Sequence, residues 1–217
     1  MLIGDCLTAL RLPNSSEIEK PDIRRLPPGG IPGGFRCKAI GQADDLGDYL
    51  TDGSAIRDEA TGFARSYLVY QNGELVAYFS LQADAIKLEP DEQDKKVPYE
   101  SAPALKLTRI GVHFDLAGQG IGSKVLELVL ATALDLSQSI GIRYLTLDSV
   151  ADKVLWYEKR GFVRNRIVGQ PTTEADTNSG ECSMRRDLGP IHIRPVVATS
   201  PVRSLHVEAD PEFEALG

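Results

Sequence analysis

Arg109-Ile-Gly-Val-His-Phe-Asp-Leu-Ala-Gly-Gln-Gly-Ile-Gly122 passes from an apolar strand-like run, through a glycine-rich turn, into an amphipathic helix. Behind it Ile121, Val125, Leu128, Val129, Thr132 and Leu136 recur at helical spacing as far as about Ile140. Lys124, Glu127, Asp135 and Gln138 form the opposite, polar stripe. The first N–H groups of such a helix lack intrahelical partners and lie at the positive end of its dipole, so the turn suits a phosphate or pyrophosphate. Gly118, Gly120 and Gly122 allow close backbone approach. Tight strand–helix packing accounts for the same glycines equally well. The spacing is neither GxxxxGK[ST] nor GxGxxG, which sets aside a P-loop and a dinucleotide fingerprint.

Outward from this unit the pattern is mixed. Asp44 to Leu50 and Ser54 to Ala64 read as short helices. Tyr67 to Tyr70 and Leu75 to Leu81 read as strands joined through Asn72-Gly73, a strong hairpin signal because both residues tolerate positive φ. Residues 82–103 read as a long polar loop or lid, and Ala104 to His113 as a strand. Downstream come a strand over Ile142 to Asp148, a helix from Ala151 to Arg160 stopped by Gly161, and strands at Phe162 to Val168 and Glu181 to Leu188. The fold class is α+β, with strands and helices intermixed around one strand–loop–helix unit.

Composition narrows the function. The 217 residues hold 31 Asp and Glu against 24 Lys and Arg, a net charge of −7. Such a balance disfavours a surface that coats nucleic acid, yet leaves room for one anion site built from backbone amides. Cys6, Cys37 and Cys182 form no CxxC pair, and with three histidines a metal site is not expected. The longest apolar stretch is broken by charges, so no membrane span is expected, and with no leader-like start the expected location is the cytoplasm.

With these motifs in view, the chain resembles the GNAT acetyltransferase superfamily. That family's acyl-CoA-binding motif, (Gln/Arg)-x-x-Gly-x-(Gly/Ala) after an aliphatic-x-Val strand end, falls on Ala117-Gly-Gln-Gly-Ile-Gly122 behind Ile110-Gly-Val112. Its second signature, Phe-Tyr-x-x-x-Gly-Phe, falls on Trp156-Tyr-Glu-Lys-Arg-Gly-Phe162. The likeness covers residues 35–188 and resembles a sub-branch that includes acetyltransferase toxins of toxin–antitoxin pairs. It implies a mostly antiparallel sheet, splayed at the cofactor-binding strand and flanked by helices. It also implies acetyl-CoA as co-substrate, no metal, and acyl transfer to a primary amine by direct attack in a ternary complex.

Roles follow position by position from the resemblance. Ile110, Gly111 and Val112 would offer backbone groups to the pantetheine arm. Ala117, Gly118, Gln119, Gly120, Ile121 and Gly122, with Ser123, would hold the pyrophosphate. Tyr157 would be the general acid for the departing thiolate, while Trp156 reads as core. Ala117 departs from the motif's usual Gln or Arg and removes a side-chain contact to phosphate. Asp148 and Ser149, at a strand end, would contact the cofactor or substrate, Ser149 serving equally well as a helix cap. Arg109 would line the acceptor site, or be an ordinary paired strand residue. No carboxylate base is evident on the central strand. The acceptor would be a small-molecule or peptide amine. Aminoacyl-tRNA is the alternative, with Lys159, Arg160, Arg164 and Arg166 as a local basic cluster, and a non-catalytic CoA-binding module is another. Residues 1–34 read as an arm ending in a Pro/Gly linker, 35–188 as the domain and 189–217 as a frayed extension. A homodimer through residues 189–197 is a further alternative.

Overall fold

A computed structural model describes residues 21–31, 33–93, 99–166 and 181–189. Seven strands form one sheet in the order β1-β2-β3-β4-β5-β7-β6: β1 Asp22–Arg25, β2 Arg65–Gln71, β3 Glu74–Lys87, β4 Ser101–Val112, β5 Tyr144–Val150, β6 Val163–Arg164 and β7 Glu181–Asp187. Among the described residues four helices accompany them: α1 Asp45–Thr51, α2 Ser54–Thr61, α3 Ile121–Ser137 and α4 Val154–Glu158. The α+β class is as expected.

Every strand pairing is antiparallel except β4 with β5. Parallel neighbours need a crossover, and α3 supplies it. That pairing covers only Ala104–Leu107 against Tyr144–Leu147. Beyond Leu107, β4 keeps β3 as partner as far as Val112, while β5 continues with β7 as far as Val150. The two central strands therefore splay, and among the described residues one backbone edge of β4 is left unpaired where the glycine-rich turn begins.

Two apolar clusters fix the sheet. On one face α3 inserts Val125, Leu126, Val129 and Ala133 over Phe79, Leu107, Leu145 and Leu147. Truncating a side chain as enclosed as Leu126 costs about 2–5 kcal/mol, because the cavity relaxes only in part. On the other face Tyr49, Leu50 and Ala55 pack over Leu68 and Tyr78. Asp44 begins α1, its carboxylate accepting from the amides of Cys37 (2.6 Å), Lys38 (3.1 Å) and Gly47 (3.0 Å). Burial works against that charge, but the three amides outweigh it and hold the carboxyl below its usual range.

The expected β2–β3 hairpin is present, with φ of 52° at Asn72 and 81° at Gly73. Two expectations change. Residues 82–103 are not one loop, since β3 runs on to Lys87 and β4 begins at Ser101. The exposed positions of β3 there carry Ala83, Ala85 and Lys87 while Gln82 and Asp84 are half-buried, which hid the alternation. Nor is all of 1–34 an arm. β1 pairs with β2, Leu26 is buried in the second cluster, and Gly30 lies against Ile56. An edge strand tolerates the prolines and glycines that follow it. The expected strand at 191–197, and the extension around it, fall outside the described residues.

Candidate active site

The turn at the splay has an alternating backbone. After β4 a single 3₁₀ turn, Phe114–Leu116, leads through extended Ala117 to Gly118 (φ 79°) and Gly120 (φ 81°), and α3 starts at Ile121. Both glycines occupy the left-handed region that a Cβ disfavours. Ala117 and Gln119 already donate their amides to Phe114 (3.0 Å) and Leu116 (3.4 Å). The amides of Gly118, Gly120, Ile121 and Gly122 have no acceptor among the described residues. Free donors thus converge at the positive end of a 17-residue helix.

A cleft of about 550 Å³ opens over this turn. Of the residues read from the sequence as cofactor-binding, Val112, Ala117, Gly118, Gly120, Ile121, Gly122 and Ser123 line it and Gln119 does not; Leu116, Cys37, Leu46, Lys153 and Trp156 complete the lining. A Cβ built at Gly118 or Gly120 meets nothing within 4 Å, so the space beside both is open. Open space and the free amides, with the Arg160 guanidinium held beside them on Trp156 and Ser123, fit a diphosphate-bearing molecule such as CoA.

The other expected residues separate from the cleft wall. A Cβ at Gly111 would lie 2.4 Å from the Tyr78 ring and 2.8 Å from Cys37 Sγ, so packing already requires glycine there. Ile110 packs against the α3-side cluster. Ser149 is buried, gives its hydroxyl to the Val150 carbonyl (3.0 Å), and caps no helix. Asp148 is ion-paired with Lys106 at 2.5 Å. Arg109 lies on the α1 side with its guanidinium 3.8 Å from the centre of the Tyr49 ring, without a carboxylate partner among the described residues.

Tyr157 is 8% exposed, its ring edge-on to Trp156 (4.8 Å) and Phe162 (5.5 Å). Its hydroxyl has no hydrogen-bond partner among the described residues. Burial pushes that hydroxyl up to about 12, against a lowering pull from Arg160, so the phenol is protonated at neutral pH. Cys37 is also pushed up to about 12, by burial and then by the Asp44 charge, so the thiol in the cleft is not a thiolate.

From the sequence Trp156 reads as core, whereas its half-buried ring also lines the cleft. Lys153 carries no motif that marks it, and Arg160 reads only as one of a basic cluster. Arg164 is spent on Glu158 (3.1 Å) and Arg166 on Asp91 (2.8 Å), leaving that cluster largely neutralised. The i, i+4 spacing of Trp156 and Arg160 on a helix was the available signal.

Comparisons with known proteins agree with this geometry. Residues 63–164 match the family described as Acetyltransferase (GNAT) domain. A tRNA-acetylating toxin of Mycobacterium tuberculosis is 24% identical over 110 residues, which is 50% of this chain. The match spans 65% of that relative's length. Among solved structures, a mutant of KacT aligns with a TM-score of 0.60 at 20% identity, over 78% of this chain and 96% of that one. AtaT in complex with acetyl-methionyl-tRNAfMet aligns at 0.58 and 20% identity, over 76% and 94%. AtaTR bound to acetyl-CoA aligns at 0.59 and 21%, over 77% and 94%.

Proposed function

We propose that this chain, whose residues 63–164 form an acetyltransferase domain of the GNAT family, moves an acetyl group from acetyl-CoA to a primary amine. The observation that carries the reading is the set of amides at Gly118, Gly120, Ile121 and Gly122, which have no partner among the described residues and border a cleft beside a strand edge that those residues leave unpaired.

The thioester supplies an activated acyl carbon and a thiol leaving group. This chain's residues hold and orient it. The loop amides receive the diphosphate, and the free edge of β4 between Thr108 and Val112 receives the extended arm, as an added strand would. The acceptor nitrogen forms the C–N bond as the C–S bond breaks, so one proton must travel from nitrogen to sulfur. On this reading Tyr157, whose ring lies against the cleft residue Trp156, is the proton donor to sulfur. With its hydroxyl near 12 and an ordinary thiol near 8.5, complete transfer from phenol to thiolate is uphill by roughly 5 kcal/mol. Tyr157 therefore stabilises the developing thiolate by a hydrogen bond and passes on its proton only as the acceptor's proton replaces it. Cys37 stays a neutral thiol, which favours direct transfer over an acetylated enzyme.

The acceptor meets the α1 side of the splay, where Arg109, Lys106 and Asp148 lie. Arg109 lacks a carboxylate partner, so an amine carrying an anionic group is favoured. The relatives' names support a second reading, in which the acceptor is the amino group of an aminoacyl-tRNA. Against it stand the net charge of −7 and the paired state of Arg164 and Arg166.

Incubation with acetyl-CoA and a panel of amino acids, polyamines, peptides and aminoacyl-tRNAs, read by thiol release, tests both. Release with any amine supports the transferase. Release confined to aminoacyl-tRNA selects the second acceptor, and no release with any member refutes the activity.

A further inference from the structure

Arg160 follows α4, and three contacts hold its guanidinium. It lies 3.8 Å from the centre of the Trp156 ring, donates from one terminal nitrogen to the Trp156 carbonyl (2.8 Å), and donates from the other to Ser123 Oγ (2.7 Å). Ser123 belongs to the first turn of α3, so Arg160 ties that turn to α4, and both partners line the cleft. Of the cations around it, Arg164 has Glu158, Arg166 has Asp91 and Lys153 has Asp152, whereas Arg186, which donates to the Arg160 carbonyl (2.7 Å), has no ion pair among the described residues. Arg160 has no ion pair among the described residues, although it is half-buried. A partly desolvated guanidinium without a counter-ion is costly, and its locked fork retains donors beyond the two in use.

We propose that Arg160 is a phosphate-binding residue of the cleft, adding a fixed guanidinium to the amides of the glycine turn. It thereby makes the site select a diphosphate-bearing thioester over the same acyl group on a bare pantetheine. Ala117 offers no side-chain donor to the turn, and Arg160 reaches it from the neighbouring helix instead. The inference rests on the reading that the cleft takes acetyl-CoA.

The test is calorimetric titration of the full chain with acetyl-CoA and with S-acetyl-pantetheine, which carries the thioester without phosphates. Arg160→Ala is expected to weaken acetyl-CoA binding about tenfold to a hundredfold, the range of one charge-assisted contact. Its affinity for S-acetyl-pantetheine is expected to stay within twofold of the parent, and added salt to weaken its acetyl-CoA binding less steeply. Arg160→Gln, which keeps a donor for Ser123 and most of the stem, should show the same selective loss and serves if Arg160→Ala does not fold. Unchanged acetyl-CoA affinity in either folded variant overturns the inference. So does an equal loss for both ligands, since that is what a merely structural role would give. A parent chain that takes up no acetyl-CoA at millimolar concentration overturns the donor reading itself.

Discussion

Gly73 and Gly120 allow a controlled test of the glycine turn. Each has φ of 81°, and a Cβ at either meets nothing within 4 Å. Alanine in that region costs about 1–2 kcal/mol at either position, by the same clash with the following carbonyl. In a domain of this size each kcal/mol lowers Tm by about 2–4 °C, so both variants should melt roughly 2–8 °C below the parent. Their ligand binding should differ. Gly73 closes the β2–β3 turn, whereas Gly120 precedes the free amides of Ile121 and Gly122 and lines the cleft. Relieving the strain at Gly120 tilts those amides away from a bound diphosphate. Loss of one charge-assisted hydrogen bond, about 1.5–3 kcal/mol, corresponds to roughly a tenfold to a hundredfold loss of acetyl-CoA affinity. Calorimetric melting and titration on the same samples read both quantities. Equal affinity in the two variants, or a matching loss in Gly73→Ala, would refute the assignment of the turn as the phosphate cradle.

Other perturbations reach other parts of the account. Tyr157→Phe should lower kcat by about one to three decades while leaving acetyl-CoA affinity within a few fold, and stopped-assay kinetics would show an unchanged kcat if the proton donor lies elsewhere. Because burial raises the Tyr157 hydroxyl to about 12, the pH–rate profile should rise as the acceptor ammonium loses its proton and stay level to about pH 11; a fall near pH 9 would contradict that. Asp44→Ala removes the acceptor of three amides and should destabilise the chain by about 2–4 kcal/mol in urea titration. The lowered Asp44 carboxyl contributes stability above the unfolded carboxyl value near 4, and that contribution disappears as pH falls through its folded value; an Asp44→Asn chain that keeps the parent's acid profile would exclude this. Cys37, held as a thiol by burial and Asp44, should resist iodoacetamide at pH 8 in the folded chain and react once the chain is denatured.

Much of the cofactor side was legible because it is local. The passage from Ile110 to Gly122 writes its turn and its helix start in consecutive residues, and Val112, Ala117, Gly118, Gly120, Ile121 and Gly122 of it line the cleft. Residues recruited from a distance were less visible. Gly111 reads as part of the ligand strand, but the Tyr78 ring on β3 is what requires it. Arg160 reads as one of four surface cations, and only the fold distinguishes it by seating it on Trp156 and Ser123 while carboxylates neutralise Arg164 and Arg166. The β3–β4 ribbon past Leu81 was hidden for another reason. Its stabilisation comes from backbone pairing and from polar links such as Thr146 to Asp84 (2.6 Å), which carry no hydrophobic period. The other side of the splay is least legible, because the Lys106–Asp148 ion pair forms only across β4 and β5 and Arg109 meets Tyr49 only through the placing of α1.

The most direct measurement incubates the chain with acetyl-labelled acetyl-CoA, with and without a reactive amine, and follows free thiol, labelled protein and labelled amine together. Direct transfer from a cleft whose cysteine is a neutral thiol predicts thiol release only when amine is present, one labelled amine per thiol, and no acetyl group on the protein. Label on the protein without amine, or thiol release with no acetylated product, would contradict it.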